Sequence, residues 1–144
     1  MQTSDIHIRD PFVLPVLAEN QYYLYGTTGP EAWTSFASGL NYYTSRDLHD
    51  WDGPYPAFRP PAGFWSDRNF WAPEVHYYRG RYYMLATFKA EGVCRGTQIL
   101  SADGPAGPFL PISAGPVTPR TWECLDGTLF VDDSDQAWLV FCHE

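Results

Sequence analysis

The chain has 144 residues, room for one ordinary domain with a buried core. Its formal charge of −8 at pH 7 and pI of about 4.8 argue against a nucleic-acid or anionic-membrane partner, since both select clustered Lys and Arg. Aromatic residues (17 %) nearly match charged ones (18 %) and come with 13 Pro and 12 Gly, which suits short strands, many turns and an all-β protein; flat aromatic faces also suit sugar rings.

The opening "MQTSDIHIRD" has neither a basic n-region nor an apolar h-region. No apolar run approaches the roughly 18 residues of a membrane span. A cytoplasmic protein with no membrane partner is expected, unless a leader has been removed. From residue 10 a unit begins: "DPFVLPVLAENQYYLYGTT" (10–28) reads as a short strand, a turn at Glu19-Asn20 and an aromatic strand, and "GLNYYTSRDLHDWDGP" (39–54) continues it. The unit returns as "APEVHYYRGRYYMLATF" (72–88), turning at Arg79-Gly80, and continues in "GTQILSADGPAGPFLP" (96–111). It opens a third time as "DGTLFVDDSDQAWLVFCHE" (126–144), with an acidic turn at Asp132–Asp135 whose carboxylates read as solvated. No stretch of a dozen residues keeps a helical apolar period free of Pro or Gly.

Repeated antiparallel units of this kind predict β-propeller blades. A β-sandwich is the alternative, but it does not require the same sub-motifs in the same order. The expected organisation is one partial propeller domain over 1–144. Blade 1 falls at about 8–60, blade 2 at about 68–115 and the first half of blade 3 at about 122–144. About two and a half blades suggest the N-terminal part of a longer protein, with an open blade edge able to self-associate. Cys94, Cys124 and Cys142 show no C-x-x-C framework, and His7, His49, His76 and His143 have no metal-ligand spacing; reduced thiols and no metal or cofactor are expected.

Superposing the three openings places Asp10, Ala72 and Asp126 at one position, the head of the innermost strand of each blade. Carboxylates from two blades would then face one channel mouth, the arrangement needed for acid–base work on a bond held between them. Glu74, two residues past Ala72, would add a third carboxylate deeper in the channel or pair with a cation. Simpler readings stand beside these: Asp10 before Pro11 and Asp126 before Gly127 are also turn-forming residues.

"RDPFVL" (9–14), "FWAPEVHYYRGRYYML" (70–85) and "LDGTLFVDDSDQAWLVF" (125–141) resemble glycoside hydrolase family 43, five-bladed β-propellers that act on α-L-arabinofuranosides and β-D-xylosides with inversion. The resemblance implies that Asp10 is the general base that activates water and that Asp126 orients the general acid and tunes its pKa. The sequence has Asp-Gly here, where many relatives have Asp-Pro or Asp-Ala. It makes Glu74 the counterpart of an Asp in the family's Trp-Ala-Pro-Asp segment, puts Trp71 near the sugar and, more loosely, Trp33 beside the glycone subsite. The expected partner is an arabinose- or xylose-containing oligosaccharide. A central metal ion occurs in some members. No residue matches the family's general acid, which lies in a later blade, and Glu144 ends the second strand of its repeat instead. A non-catalytic sugar-binding module, or a propeller scaffold for protein partners, remains the alternative from another class.

Overall fold

A computed structural model of the chain describes residues 1–29, 32 and 36–144. The strands run β1 (Ile8–Val16), β2 (Gln21–Thr28), β3 (Leu40–Ser45), β4 (Trp51–Phe58), β5 (Arg68–Tyr78), β6 (Arg81–Ala90), β7 (Val93–Ala102), β8 (Leu110–Pro111), β9 (Cys124–Val131) and β10 (Ala137–His143). They form two four-stranded sheets, β1-β2-β3-β4 and β5-β6-β7-β8, and a two-stranded sheet, β10-β9, with every pairing antiparallel. β5 packs against β1 and β2, and β9 against β6 and β7, so each sheet lies on its neighbour through its first strand. This is the all-β partial propeller that the repeats predict, two blades and the opening hairpin of a third.

Turn chemistry fixes the hairpins. Arg79 (φ 47°) and Gly80 (φ 85°) form a two-residue connection between Tyr78 and Arg81, and both adopt the positive φ that matches the twist of a tight hairpin. Asn20 (φ 50°), a residue tolerant of left-handed backbone, closes the β1–β2 turn. In the β9–β10 turn the Asp132 carboxylate accepts the backbone N–H groups of Ser134 (2.9 Å) and Gln136 (3.0 Å) and the indole N–H of Trp138 (2.7 Å), which hold it below the usual carboxylate range. Asp135, expected to be merely solvated, takes Arg79 of the neighbouring sheet at 2.7 Å. Being exposed at both ends, that pair contributes little.

The core lies between the first two sheets. Phe58, Phe70 and Phe88 are all nearly inaccessible, and Phe88 meets the other two edge to face, Phe70 at 4.8 Å and 78° and Phe58 at 5.9 Å and 73°. Such geometry adds about 0.5–1.5 kcal/mol per pair beyond the area buried. Tyr25, fully buried, satisfies its hydroxyl on the Pro105 carbonyl. This apolar slab fixes the spacing of the first two sheets and therefore of the strand heads above it. Cys94, Cys124 and Cys142 are free thiols.

Candidate active site

The heads of β1, β5 and β9 share one backbone device. Each first strand carries an extra residue against its partner at this place: Asp10 and Pro11 oppose Gly26, Ala72 and Pro73 oppose Ala86, and Asp126 and Gly127 oppose Phe141; β5 has a second register shift between Arg68 and Trp71. The first residue of each bulge is left-handed, with φ 49° at Asp10, 44° at Ala72 and 52° at Asp126. A bulge of this type normally takes Gly at that place. Non-glycine residues there cost roughly 1–2 kcal/mol each. A bulge re-aims the side chain of a strand, and here it turns those of Asp10 and Asp126 out of the regular alternation.

The sheets are stitched together beside these bulges. The Ala72 N–H donates to Thr27 Oγ1 at 2.8 Å, and the Asp126 N–H donates to Thr87 Oγ1 at 3.0 Å. Thr27 Oγ1 in turn donates to Asp10 Oδ2 at 3.3 Å. Glu74 is partly buried; its Oε2 accepts the Thr128 hydroxyl at 2.6 Å and lies 3.1 Å from His76 Nε2. Glu74 thus bridges a residue of its own strand and one of the neighbouring sheet.

Electrostatics tie the three carboxylates together. The Asp126 carboxyl is pushed above the usual aspartate value by partial burial first and then by the charge of Asp10, with Glu74 and Glu144 adding to the rise and Arg95 opposing it. Arg95 is the residue that sequence reasoning missed. Its guanidinium bonds Glu144 at 2.7 Å, approaches Glu123 at 3.7 Å and lies over the Trp71 ring at 5.2 Å. Glu123 also accepts Lys89 at 2.8 Å and the Arg95 backbone N–H at 2.8 Å, which holds its carboxyl below the usual range. Trp71 is fixed from the other side by its indole N–H, which donates to the Ala32 carbonyl at 2.6 Å. Glu144 follows β10 at the same end as Asp126, with its backbone on the Glu123 carbonyl and its side chain on Arg95.

A cavity of about 570 Å³ is lined by Ile6, His7, Ile8, Arg9, Thr27, Gly29 and Ala32, and Asp10 is not among the lining residues. Trp33 lies outside the described residues. Among the described residues no group of three or more His, Cys, Asp or Glu side chains is arranged to hold a metal ion. Asp10, Glu74, Asp126 and Trp71 thus come to one end of the sheets, and Thr27, Thr87 and Arg95 join them. Thr27 and Thr87 were detectable in principle, because "QYYLYGTT" and "RYYMLATF" align them in one column. Arg95 was not, because its partners are scattered along the chain.

The profile of "Glycosyl hydrolases family 43" matches residues 4–144. A curated extracellular endo-α-(1→5)-L-arabinanase of Bacillus subtilis is 28 % identical over 116 residues, covering 72 % of this chain and 35 % of its own length. The crystal structure of an endo-arabinase from Bacteroides thetaiotaomicron superposes with a TM-score of 0.90 at 39 % identity, over 100 % of this chain and 48 % of that one. An endo-1,4-β-xylanase structure from the same organism gives 0.74 at 29 % identity, over 94 % and 43 %. The chain therefore spans about a third of the curated relative and about half of the endo-arabinase.

Proposed function

Because the chain belongs to glycosyl hydrolase family 43, and is a part of its five-bladed propeller, we propose that the protein carrying it hydrolyses α-L-arabinofuranosyl or β-D-xylosyl linkages in plant polysaccharide, or in oligosaccharides derived from it, with inversion. The observation that carries this reading is the shared end of β1 and β9: Asp10 and Asp126 head the first strands of the first and third sheets in the same kind of bulge, and the charge of Asp10 bears on Asp126. Between the two sugars, the 39 % identity to an endo-arabinase supports arabinose.

In this mechanism Asp10 removes a proton from water as that water attacks the anomeric carbon. A carboxylic acid on the opposite side protonates the departing glycosidic oxygen. Inverting pairs stand roughly 6.5–9.5 Å apart to admit the water. The acid must stay protonated near neutral pH, and a negative charge beside it raises its pKa. Asp126 supplies that charge. Trp71, held by the Arg95 guanidinium over its ring and by its indole bond to the Ala32 carbonyl, would lie near the sugar. No described residue matches the family's general acid, so this segment alone is expected to give no steady turnover.

In the full-length protein, Asp10→Asn is expected to lower kcat on aryl arabinofuranosides and arabino-oligosaccharides by a hundredfold or more, the scale of general-base contributions. Wild-type turnover in that variant would remove Asp10 from the mechanism. Proton NMR of the first-formed sugar reads the anomeric outcome, and retention would overturn inversion.

A further inference from the structure

We infer that Thr27 is a positioning residue for Asp10, and that its hydroxyl links the setting of that carboxylate to the neighbouring sheet; the inference rests on the reading of Asp10 as general base. Thr27 is 3 % exposed and stands on β2 directly opposite Arg9, the residue before the bulge. A hydroxyl has one proton to give and lone pairs to receive. The Ala72 N–H of β5 fills the acceptor side at 2.8 Å, so the proton is left for Asp10 Oδ2 at 3.3 Å. The Asp10 contact is longer than the usual O–H···O distance, and contacts of catalytic groups commonly tighten when substrate enters. A β-branched side chain is stiff at χ1, so the hydroxyl is set before any substrate arrives.

The second copy of the device argues that the placement is built in. Thr87, fully buried on β6, stands opposite Trp71 as Thr27 stands opposite Arg9. It accepts the N–H of the next left-handed residue, Asp126, at 3.0 Å. A strained backbone persists only where its surroundings over-determine it, and both threonines hold a strained residue of the next sheet. They differ in one respect. Thr27 reaches a carboxylate within its own sheet as well, whereas the position before the β5 bulge is followed by Ala72, which has nothing to accept. Thr27 therefore acts on chemistry and on architecture, and Thr87 through the backbone alone.

The test uses the full-length protein, with kcat and KM measured on an aryl arabinofuranoside and thermal unfolding followed in parallel. Thr27→Val keeps the shape and removes both hydrogen bonds. It is expected to lower kcat about tenfold or more at nearly unchanged KM, while Thr27→Ser restores kcat to within about threefold of wild type. If Thr27→Val fails to fold, Thr27→Cys, with a weak S–H donor in the same place, carries the same expectation. A kcat within twofold of wild type for the folded Val or Cys variant overturns the inference, as does a Ser variant no better than Val. A merely structural role would lower the melting temperature of Thr27→Val without moving kcat per folded molecule. Asp10→Asn separates the two levels: if it is inactive while Thr27→Val is normal, only the positioning role falls. If Asp10→Asn is active, the reading of the base falls.

Discussion

The heads of β1 and β9 carry aspartates, and the head of β5 carries Ala72, yet all three residues sit in the same bulge with φ between 44° and 52°. Aspartate is often found in left-handed turns because its short polar side chain can bond locally, and that would explain two of the three positions. Alanine has no such aid. The conformation is therefore imposed by the packing of sheet on sheet and by the threonine hydroxyls that take the bulge N–H groups at Ala72 and Asp126. The carboxylates are then not the cause of the turn. They occupy a place that the fold builds in any case, and the β5 head shows that place without a carboxylate.

The widest separation between aspartate and alanine heads should come from Asp126→Asn in the full-length protein. Activity on arabino-oligosaccharides is expected to fall a hundredfold or more, since the acid loses the charge beside it. Stability should move the other way. The folded-state pKa of Asp126 is raised, so ionising it costs the folded state. Whatever stability this group contributes is present below the unfolded aspartate pKa and is lost as pH rises through the folded value. The Asn variant should therefore melt higher than wild type at pH 7, and the difference should vanish by about pH 3–4. An equal or lower melting temperature at pH 7 would show that the site is not strained by charge.

A smaller effect is expected at the second bulge residue. Gly127 stands where the other heads have Pro11 and Pro73, and a Cβ there would lie 2.4 Å from Thr97 Cγ2 and 2.6 Å from Thr97 Oγ1. Thr97 is fully buried and cannot swing aside. Gly127→Ala should cost about 1–3 kcal/mol by chemical denaturation, the usual price of overpacking. Adding Thr97→Ala should return part of it; a strictly additive double variant would refute the clash. The smallest effect belongs to Ala72→Gly. Relief of left-handed strain (about 1–2 kcal/mol) is offset by the lost buried methyl (about 0.8) and by a freer unfolded chain (about 0.5–1). Stability within about 1 kcal/mol of wild type and unchanged kcat are expected. A loss beyond about 2 kcal/mol would mean that the Ala72 methyl does more than fill space.

Much of this was legible beforehand. The aromatic second strands "YYLYGTT", "YYMLATF" and "AWLVFCH" made the repeat visible, and the repeat alone put Asp10 and Asp126 in register. The shared bulge was hidden, because Asp-Pro, Ala-Pro and Asp-Gly have no residue type in common, and only the pairing register shows that each is one residue too long for its partner. Thr27 and Thr87 were in view as ordinary strand formers; their work lies between sheets, and a sequence gives no measure of that distance. Arg95 follows Cys94 near the start of β7 with no motif around it, and its significance comes from Trp71, Glu123 and Glu144, which only the folded chain brings to it. Asp135 is solvated as expected, and its surface pair with Arg79 was out of view because Arg79 belongs to the neighbouring unit.

The two threonine contacts also make a pair of natural reporters. The Ala72 and Asp126 amides donate to a hydroxyl carried by the sheet beside them, so that contact contributes to their protection from solvent hydrogen. Their deuterium uptake should follow the separation of adjacent sheets, while flanking amides such as Leu85 and Val140 follow the opening of a single sheet. Ala72 and Asp126 thus sit on a gauge of how tightly neighbouring sheets are closed.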